Sequence, residues 1–315
     1  MTGVQTCALP IFQKSREVFL KLGFNEIENP VFIAEEDVYK QYGPEAPVIL
    51  DRVYYLAGLP RPDIGLSSEK KQEILEVDGN IDLDELQNIL REYRKGEIEG
   101  DDVLEEMNHR LSTSTQDAAS IISLFQEFKQ INPVPSKQTL RSHMTGAWFP
   151  TLSSVKDEYD HPVKLFSVGM RYRREQKMDA THLRAHYGGS MVIMGEDVSL
   201  EVGKNVSTKI LEKLGFKNIH YEKKKATSNY YAPETEYEVY SKNIEIADIG
   251  MYSPVALANY DIPYHVFNLG FGLERLIMVS QGYEDIRELM YPQFYTNREY
   301  TDIELAKEIM IDKTP

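Results

Sequence analysis

Cysteine and long apolar runs are what this sequence has least of. Cys7 is the only cysteine among the 315 residues, which excludes a disulfide framework and any zinc site built on cysteine. No stretch approaches the roughly 18 consecutive apolar residues of a membrane-spanning helix. The first residues also lack the cationic region that opens a signal peptide. We therefore expect a soluble, cytoplasmic protein and exclude membrane functions.

Basic residues are scarce relative to acidic ones. The chain has 35 Lys and Arg against 50 Asp and Glu, a net charge of -15. Because nucleic-acid binding needs cations to neutralise phosphates, this balance argues at first against an RNA partner. The excess is local, however, since residues 67–111 alone contain 14 acidic and 6 basic residues. The net charge therefore does not exclude an RNA-binding surface of basic residues elsewhere on the chain.

The rest of the composition is that of an ordinary globular protein, with 42% hydrophobic and 27% charged residues. Near the start, Val18, Phe19 and Leu22 form a helical stripe that Gly23 ends. The following segment, 24–32, predicts a strand interrupted at Pro30.

An acidic helical insertion is predicted over about 67–129. Asp82 followed by Glu85 is typical of a helix start, apolar residues then keep helical spacing, and Gly96 ends the helix. Two further helical stripes follow before residue 129.

Beyond the insertion the pattern changes to strands and glycine. Segments 163–174 and 185–194 predict one long antiparallel hairpin around a polar loop. We expect a helix at 199–214, short strands near 217–222, 236–241, 244–250 and 264–269, and a final helix opening at Gly272. The expected fold class is α+β, with an antiparallel sheet flanked by helices.

Three charged motifs carry the chemistry. Arg173 and Glu175 end a predicted strand, His182 follows in the loop, and the sequence Gly270-Phe-Gly272-Leu-Glu-Arg275 opens a helix. Each motif alone is weak, because a charged strand tip or an exposed pair at a helix start needs no function. Together and in this order they resemble the motifs of class II aminoacyl-tRNA synthetases, with the helix and strand before Pro30 as the first motif.

The resemblance extends to a branch of that superfamily. The Asp179–His182 loop is similar to that of the phenylalanyl-tRNA synthetase α-subunit branch. Four other segments resemble the phosphoserine-specific synthetases of methanogens, which join O-phosphoserine to tRNA(Cys). These segments are 39–46, 55–63, 139–145 and 252–257, and the resemblance as a whole runs from about residue 12 to 297.

This resemblance implies roles in ATP binding. The reaction holds two anions together while charge grows on the α-phosphate, so it needs fixed cations rather than a general base. The family pattern assigns the α-phosphate and the carboxylate to Arg173, the adenine amino group to Glu175, the γ-phosphate to His182, and adenine or the γ-phosphate to Arg275 with Glu274 beside it. Glu245 matches the position that faces Mg²⁺, a hard ion suited to carboxylate and phosphate oxygens.

The resemblance also implies an amino-acid pocket. Its expected members are His143, Met144, Thr145, Gly188, Ser190, Tyr230, Tyr231, Asp248 and Asn268. Two of these depart from the family, which has a Ser-x-Ser pair at Gly188 and Ser190 and a Thr at Asp248. At about 5 Å and an effective dielectric near 20, Asp248 would repel each phosphate charge by roughly 3 kcal/mol. Either Asp248 is turned away or neutralised, or the substrate is not phosphoserine. His143 as a core histidine and Ser190 as a small strand residue are the structural alternatives.

The implied function is ATP-dependent ligation of O-phosphoserine to tRNA(Cys) through an aminoacyl-adenylate, by a homo-oligomer that is a dimer or tetramer. Two alternatives stay open: a class II synthetase for another amino acid, and a synthetase-like binding protein without turnover. Lys223 to Lys225 are a candidate RNA contact or a solvated turn.

The expected domain layout has three parts, with the helical insertion of about 67–129 inside the second. Residues 1–11 are expected to be foreign or disordered, 12–300 to form the catalytic domain, and 301–315 to be a tail. The anticodon-binding region of the family is expected to be absent.

Overall fold

A computed structural model describes residues 9–176, 179–180, 182–290, 295–296 and 299–300. Of the segment expected to be foreign, residues 1–8 lie outside the described residues, and 9–11 form the start of the first helix. The expected tail, 301–315, also lies outside them. Among the described residues no helix combines the length and the apolar character needed to cross a membrane.

The chain divides into two compact units. The larger combines residues 1–56 with 137–315, and the smaller comprises 57–136. The helices are α1 Leu9–Lys21, α2 Glu35–Tyr42, α3 Ala46–Leu50, α4 Ser68–Val77, α5 Leu83–Lys95, α6 Val103–Leu111, α7 Thr115–Ser123, α8 Trp148–Val155, α9 Leu200–Leu214, α10 Pro254–Ala258, α11 Leu273–Gln281 and α12 Arg287–Met290. The strands are β1 Asn25–Glu26, β2 Phe32–Ala34, β3 Tyr55–Gly58, β4 Val134–Leu140, β5 Val163–Tyr172, β6 Ala185–Gly195, β7 His220–Lys223, β8 Tyr237–Ser241, β9 Ile244–Met251, β10 His265–Gly272, β11 Tyr295–Thr296 and β12 Glu299–Tyr300.

A seven-stranded sheet forms the centre of the larger unit. Its order is β1-β5-β6-β10-β9-β8-β7. β1 runs parallel to β5, and the other neighbours are antiparallel. The hairpin predicted from the sequence is the β5–β6 pair, in which Ser167 lies opposite Ser190. The α+β class with a mostly antiparallel sheet is confirmed.

The two faces of this sheet carry two separate apolar cores. Phe166 and Ile193 face a core with α1, α9 and α11, whereas their neighbours Leu165 and Val192 face a core with α2, α8 and α10. Alternation along the strands produces this division, since successive side chains point to opposite faces. Both faces are therefore covered over much of the sheet.

The strand predicted at 24–32 is largely wrong. Only β1 and the start of β2 are extended in a ladder, and the segment between them is held by side chains. The Asn29 backbone oxygen accepts a hydrogen bond of 2.7 Å from Arg141 Nη1, and its side-chain oxygen accepts one of 2.8 Å from Thr151. Pro30 has no N–H to offer a ladder.

The smaller unit is helical. Helices α4 to α7 bury a common core that includes Leu86, Met107 and Ile121. Asp82 Oδ1 accepts hydrogen bonds of 3.0 Å from the backbone N–H groups of Asp84 and Glu85, which caps α5.

Candidate active site

A cavity of about 350 Å³ opens on the face of the large sheet that also carries the α2, α8 and α10 core. Its wall contains more cations than acids. The cations are Arg52, Arg171, Arg173, Lys224 and Arg275, and the acids are Glu236, Glu245 and Asp248. Such a wall favours an anionic ligand.

Small residues on the sheet leave the room for this cavity. Gly188 of β6 lies opposite Gly272 of β10 in the ladder, and Gly270 lies opposite Asp248 of β9. These positions continue the same alternating face as Val192 and Val266, which point into the core further along. Glycine at positions 270 and 272, in place of large side chains, leaves this end of the face open as the floor of the cavity.

Arg173 lies just beyond β5 and lines the cavity. Its Nε donates to the Ser142 backbone oxygen at 3.2 Å, and its backbone N–H donates to Arg184 at 2.7 Å. Burial and the nearby Arg52 lower the pKa of its guanidinium from the usual value. An anion beside Arg173 would relieve both effects.

Glu175 contacts Arg52, a residue of the cavity wall. Its carboxylate accepts a hydrogen bond of 3.1 Å from Arg52 Nη2, and its side chain is 16% exposed. Arg52 lines the cavity and was not singled out from the sequence. The second residue of the Arg-x-Glu motif thus orients a cation at the cavity wall.

Arg275 lies in the first turn of α11, and its side chain contacts β9. Its Nη1 lies 2.9 Å from Oε1 of Glu245, and both residues line the cavity. Burial, and then the charge of Asp248, raises the pKa of Glu245 above its usual range. The described residues hold no group of three or more His, Cys, Asp or Glu side chains that could bind a metal.

His182 and Glu274, both expected at ATP, lie outside the cavity wall. His182 is exposed, and its Nδ1 lies 2.9 Å from Asp179 in the β5–β6 loop. Glu274 is buried, where it accepts a hydrogen bond of 2.5 Å from the Tyr187 backbone N–H. Burial raises the pKa of Glu274 to about 7.

Three consecutive expected pocket residues, His143, Met144 and Thr145, do line the cavity. The Nδ1 of His143 lies 2.9 Å from the Ser142 hydroxyl. Burial, and then the positive charges of Arg173 and Arg171, hold the pKa of His143 well below its usual value. The imidazole is therefore neutral at pH 7. The hydroxyl of Thr145 is buried and interacts with the hydroxyl of Tyr230, which also lines the cavity.

Ser190 and Asn268 lie behind the wall, in the core. The Ser190 hydroxyl accepts hydrogen bonds of 2.9 Å from Trp148 Nε1 and Asn268 Nδ2, and it donates to the Leu269 oxygen. The Asn268 oxygen accepts from the Tyr231 hydroxyl at 2.8 Å. Tyr230 and Tyr231 line the cavity, whereas both Ser190 and Asn268 are fully buried. The alternative reading of Ser190 as a structural residue fits this placement.

Asp248 forms an ion pair with a lysine that it shares with Glu236. Lys224 Nζ lies 3.1 Å from Asp248 Oδ1 and 3.1 Å from Glu236 Oε1. Burial alone would lower the pKa of Lys224, but Asp248 and Glu236 outweigh it and raise the pKa. Asp248, which the sequence placed in the pocket without a partner, is therefore ion-paired.

Gly188 lies beneath two side chains. A Cβ at this position would lie 2.9 Å from Met144 Cγ and 3.4 Å from the Nε of Arg171. The space that a serine would need is thus occupied.

Sequence reasoning missed Arg52, Arg171, Glu236 and Tyr42, and it treated Lys224 only as part of a lysine run. A signal existed for Arg171, because positions 171 and 173 share one face of a strand. The others depend on contacts between distant segments.

The arrangement can hold polyanions and stabilise charge that develops on them. The chain belongs to the family of class II tRNA synthetases: the family described as "tRNA synthetases class II core domain (F)" matches residues 63–300. The class follows from this match and agrees with the antiparallel sheet and with the cation-lined cavity on it.

The chain is also similar to curated ligases that share one name. The chain is 44% identical to the O-phosphoserine–tRNA(Cys) ligase of Methanocaldococcus jannaschii, over 96% of this chain and 58% of the relative. It is 45% identical to that of Methanococcus vannielii, over 95% and 57%, and 42% identical to that of Methanothrix thermoacetophila, over 97% and 60%. The chain thus spans less than two thirds of the length of these relatives.

Solved structures agree on the fold. The pyrrolysyl-tRNA synthetase of Desulfitobacterium hafniense matches with a TM-score of 0.59 and 15% identity, over 94% of this chain and 76% of that one. A second structure of that enzyme gives the same TM-score at 16% identity, over 94% and 77%.

Proposed function

We propose that this chain carries the catalytic part of an enzyme that ligates O-phosphoserine to tRNA(Cys) in two steps, through an aminoacyl-adenylate. The observation that carries the proposal is the cation-rich cavity, in which the one unexpected acid, Asp248, is paired with Lys224. The similarity to ligases of that specificity supports it.

The first step needs no general base. The amino acid carboxylate is already ionised at pH 7, and it attacks the α-phosphorus of ATP while pyrophosphate leaves. Negative charge grows on the α-phosphate oxygens, and Arg173, fixed by Ser142, is the group placed to stabilise it. The neutral His143 adds no competing charge to the wall.

ATP is the expected co-substrate, and Arg275 and Arg52 are the further cations for its phosphates and base. The donor set of the cavity also bears on Mg²⁺. Glu245 lines the cavity from β9, and Mg²⁺ needs only one or two carboxylates when phosphates supply further ligands. Glu245 fits the ion, which would neutralise phosphate charge.

In the second step a hydroxyl of tRNA(Cys) attacks the aminoacyl carbonyl, the acyl–phosphate bond of the adenylate breaks, and AMP leaves. We place this reaction in the cytoplasm, where its substrates are, and propose that the chain acts as a homo-oligomer through the α1 and Pro30 region. His182, on the exposed loop, is proposed to reach the γ-phosphate when ATP is bound.

The test is ATP–pyrophosphate exchange with a panel of amino acids that includes phosphoserine, serine, aspartate, glutamate and phenylalanine. We expect exchange with phosphoserine alone. Exchange with another member of the panel, and none with phosphoserine, would overturn the amino acid assignment. No exchange with any of them, from a folded chain that binds ATP, would favour a protein without turnover.

A further inference from the structure

Arg171 is a cavity-lining guanidinium for which the described residues provide no partner. It projects from β5 on the same face as Arg173 and lines the cavity. Its Nε is buried without a hydrogen bond, and the described part of the chain offers Arg171 no ion pair within 4 Å. Every other cation of the wall except Arg173 has an acidic partner: Glu175 for Arg52, Asp248 and Glu236 for Lys224, and Glu245 for Arg275.

The position of this group is costly to the free protein. Burial, and then the charge of Arg173, lowers the pKa of Arg171 to about 9. An isolated buried charge is unfavourable unless a counter-ion or hydrogen bonds compensate it. A fold that keeps two arginines side by side in one cavity is therefore suited to an anion that contacts both.

The floor of the cavity is shaped around this side chain. The stem of Arg171 passes Gly188, where an added Cβ would lie 3.4 Å from its Cδ and Nε. The fork ends at Gly272, where an added Cβ would lie 2.9 Å from its Nη2. Two glycines in adjacent strands thus leave a channel for one arginine, which fixes the guanidinium across the floor.

Two further residues face the same space. Met144 packs on Gly188, and the next residue, Thr145, has a buried hydroxyl that interacts with the hydroxyl of Tyr230. The methyl side of Thr145 packs on Gly270, where an added Cβ would lie 3.2 Å from its Cγ2. A fixed guanidinium beside the hydroxyls of Thr145 and Tyr230 forms a site for a tetrahedral oxyanion.

We propose that Arg171 is the specificity-determining residue that binds the anionic side chain of the amino acid, beside Thr145 of the expected pocket. This inference rests on the proposed function. Under it Arg173 serves the reacting carboxylate and α-phosphate, Arg275 and Arg52 serve the rest of ATP, and Arg171 distinguishes a phosphorylated side chain from a neutral one.

The test compares the parent with Arg171→Gln and Arg171→Lys in ATP–pyrophosphate exchange, measuring KM for phosphoserine and for ATP separately. Arg94→Gln, at an exposed arginine paired with Asp63, is the matched control. Loss of a charged hydrogen bond should raise the phosphoserine KM of Arg171→Gln at least about tenfold. The ATP KM should change less than about threefold, and Arg171→Lys should recover part of the loss.

Thermal unfolding gives a readout independent of turnover. Free Arg171→Gln should melt at or above the parent temperature, because an unpaired buried charge is gone. Its stabilisation by phosphoserine, in the absence of ATP, should be largely lost. A lower melting temperature with unchanged phosphoserine stabilisation would overturn the inference.

The remaining outcomes separate this inference from the proposed function. An unchanged phosphoserine KM in Arg171→Gln, or an ATP KM that rises as much, refutes the role of Arg171 while phosphoserine activation by the parent stands. If the parent activates aspartate or glutamate instead, the amino acid assignment fails, and a raised KM for that acid in Arg171→Gln still supports Arg171. Activation of a neutral amino acid refutes both.

Discussion

Lys224 Nζ and Asp248 Oδ1 lie 3.1 Å apart at the wall of the cavity, in a chain that would otherwise present a free acid to its ligand. The lysine comes from the segment after β7, and the acid from β9, two strands away in the sheet. Each side chain is about one third exposed, at 33% and 38%. The pair reduces the repulsion that Asp248 would exert on the anionic ligand of the proposed function.

Removing this lysine should expose the acid. An unpaired Asp248 at about 5 Å from a phosphate, with an effective dielectric near 20, repels each charge by roughly 3 kcal/mol before screening. Because both groups are partly exposed, we expect Lys224→Met to raise the phosphoserine KM by about tenfold rather than several hundredfold. The double variant Lys224→Met/Asp248→Asn should recover most of the loss, and Lys225→Met should have little effect. A double variant as impaired as the single one would contradict the pairing.

Arg173→Ala should slow adenylate formation strongly in a folded protein. The guanidinium is fixed at the cavity wall, so it stabilises charge without rearrangement. Loss of such a preorganised donor lowers a rate by about 10² to 10³. Pyrophosphate exchange measures the loss, and Arg174→Ala, which removes an exposed pair with Asp51, is the control. Exchange at near the parent rate in Arg173→Ala would end its assignment.

Glu274 should make stability depend on pH. Its pKa is about 7 in the fold against 4.5 without burial, so the folded state binds the extra proton between these values. The free energy of unfolding therefore falls as pH rises from about 4.5 to 7 and is level above. Glu274→Gln keeps an acceptor for Tyr187 without the charge. It should match the parent near pH 5 and exceed it at pH 8 by about 2–3 kcal/mol.

Denaturant unfolding at several pH values checks this expectation. Glu284→Gln, at an exposed carboxyl, is the control and should follow the parent throughout. A Glu274→Gln protein that is less stable than the parent at pH 8 would show that its carboxylate is compensated in the fold.

Gly188→Ser should weaken the protein rather than improve its phosphate binding. The sequence alone favours the opposite, since serine adds a donor. Its Cβ would lie 2.9 Å from Met144 Cγ, the middle of that side chain, so Met144 or Arg171 must move. Overpacking of this kind costs about 1–3 kcal/mol.

The measurements for Gly188→Ser are the melting temperature and the phosphoserine KM. Met144→Ala in the same chain should restore part of the stability, because it removes the clash. Gly65→Ser, where nothing lies within 4 Å of an added Cβ, is the control. A serine variant as stable as the parent, with tighter phosphoserine binding, would contradict the crowding.

The acidic helices should not bind RNA. Residues 67–111 carry eight more acidic than basic residues, and RNA phosphates would be repelled by them. Hydrogen exchange with and without tRNA should therefore show no added protection over 82–111. Protection there, absent from a control with an unrelated polyanion, would refute this expectation.

Much of the larger fold could be predicted because its signals are local. The β5–β6 hairpin, α9 and α11 follow from alternation, caps and glycine stops within each segment. The actual conformation of residues 24–32 could not be predicted from local signals. Arg141, more than 100 residues away, supplies a hydrogen bond to the Asn29 backbone oxygen in this segment.

The candidate site was predictable to the extent that it lies in motifs. Arg173, Arg275 and the 143–145 segment stand at the cavity as expected. The Asp248 pair depends on the register of β8 and β9, which contains an irregularity at Val239/Tyr240 that no local pattern reveals. The burial of Ser190 likewise depends on Trp148, a residue of another helix.

The hydrogen-bond chain from Trp148 through Ser190 and Asn268 to Tyr231 has a consequence for redesign. It ties one wall of the cavity to the interior, so any substitution along it leaves a buried partner unsatisfied, at about 1–3 kcal/mol each. Positions 171 and 248 lie outside this chain of hydrogen bonds, whereas Lys224 pairs with the buried Glu236. A library that seeks an enzyme for a new amino acid should diversify 171 and 248 and leave the hydrogen-bond chain unchanged, because substitutions along that chain leave buried polar groups without partners.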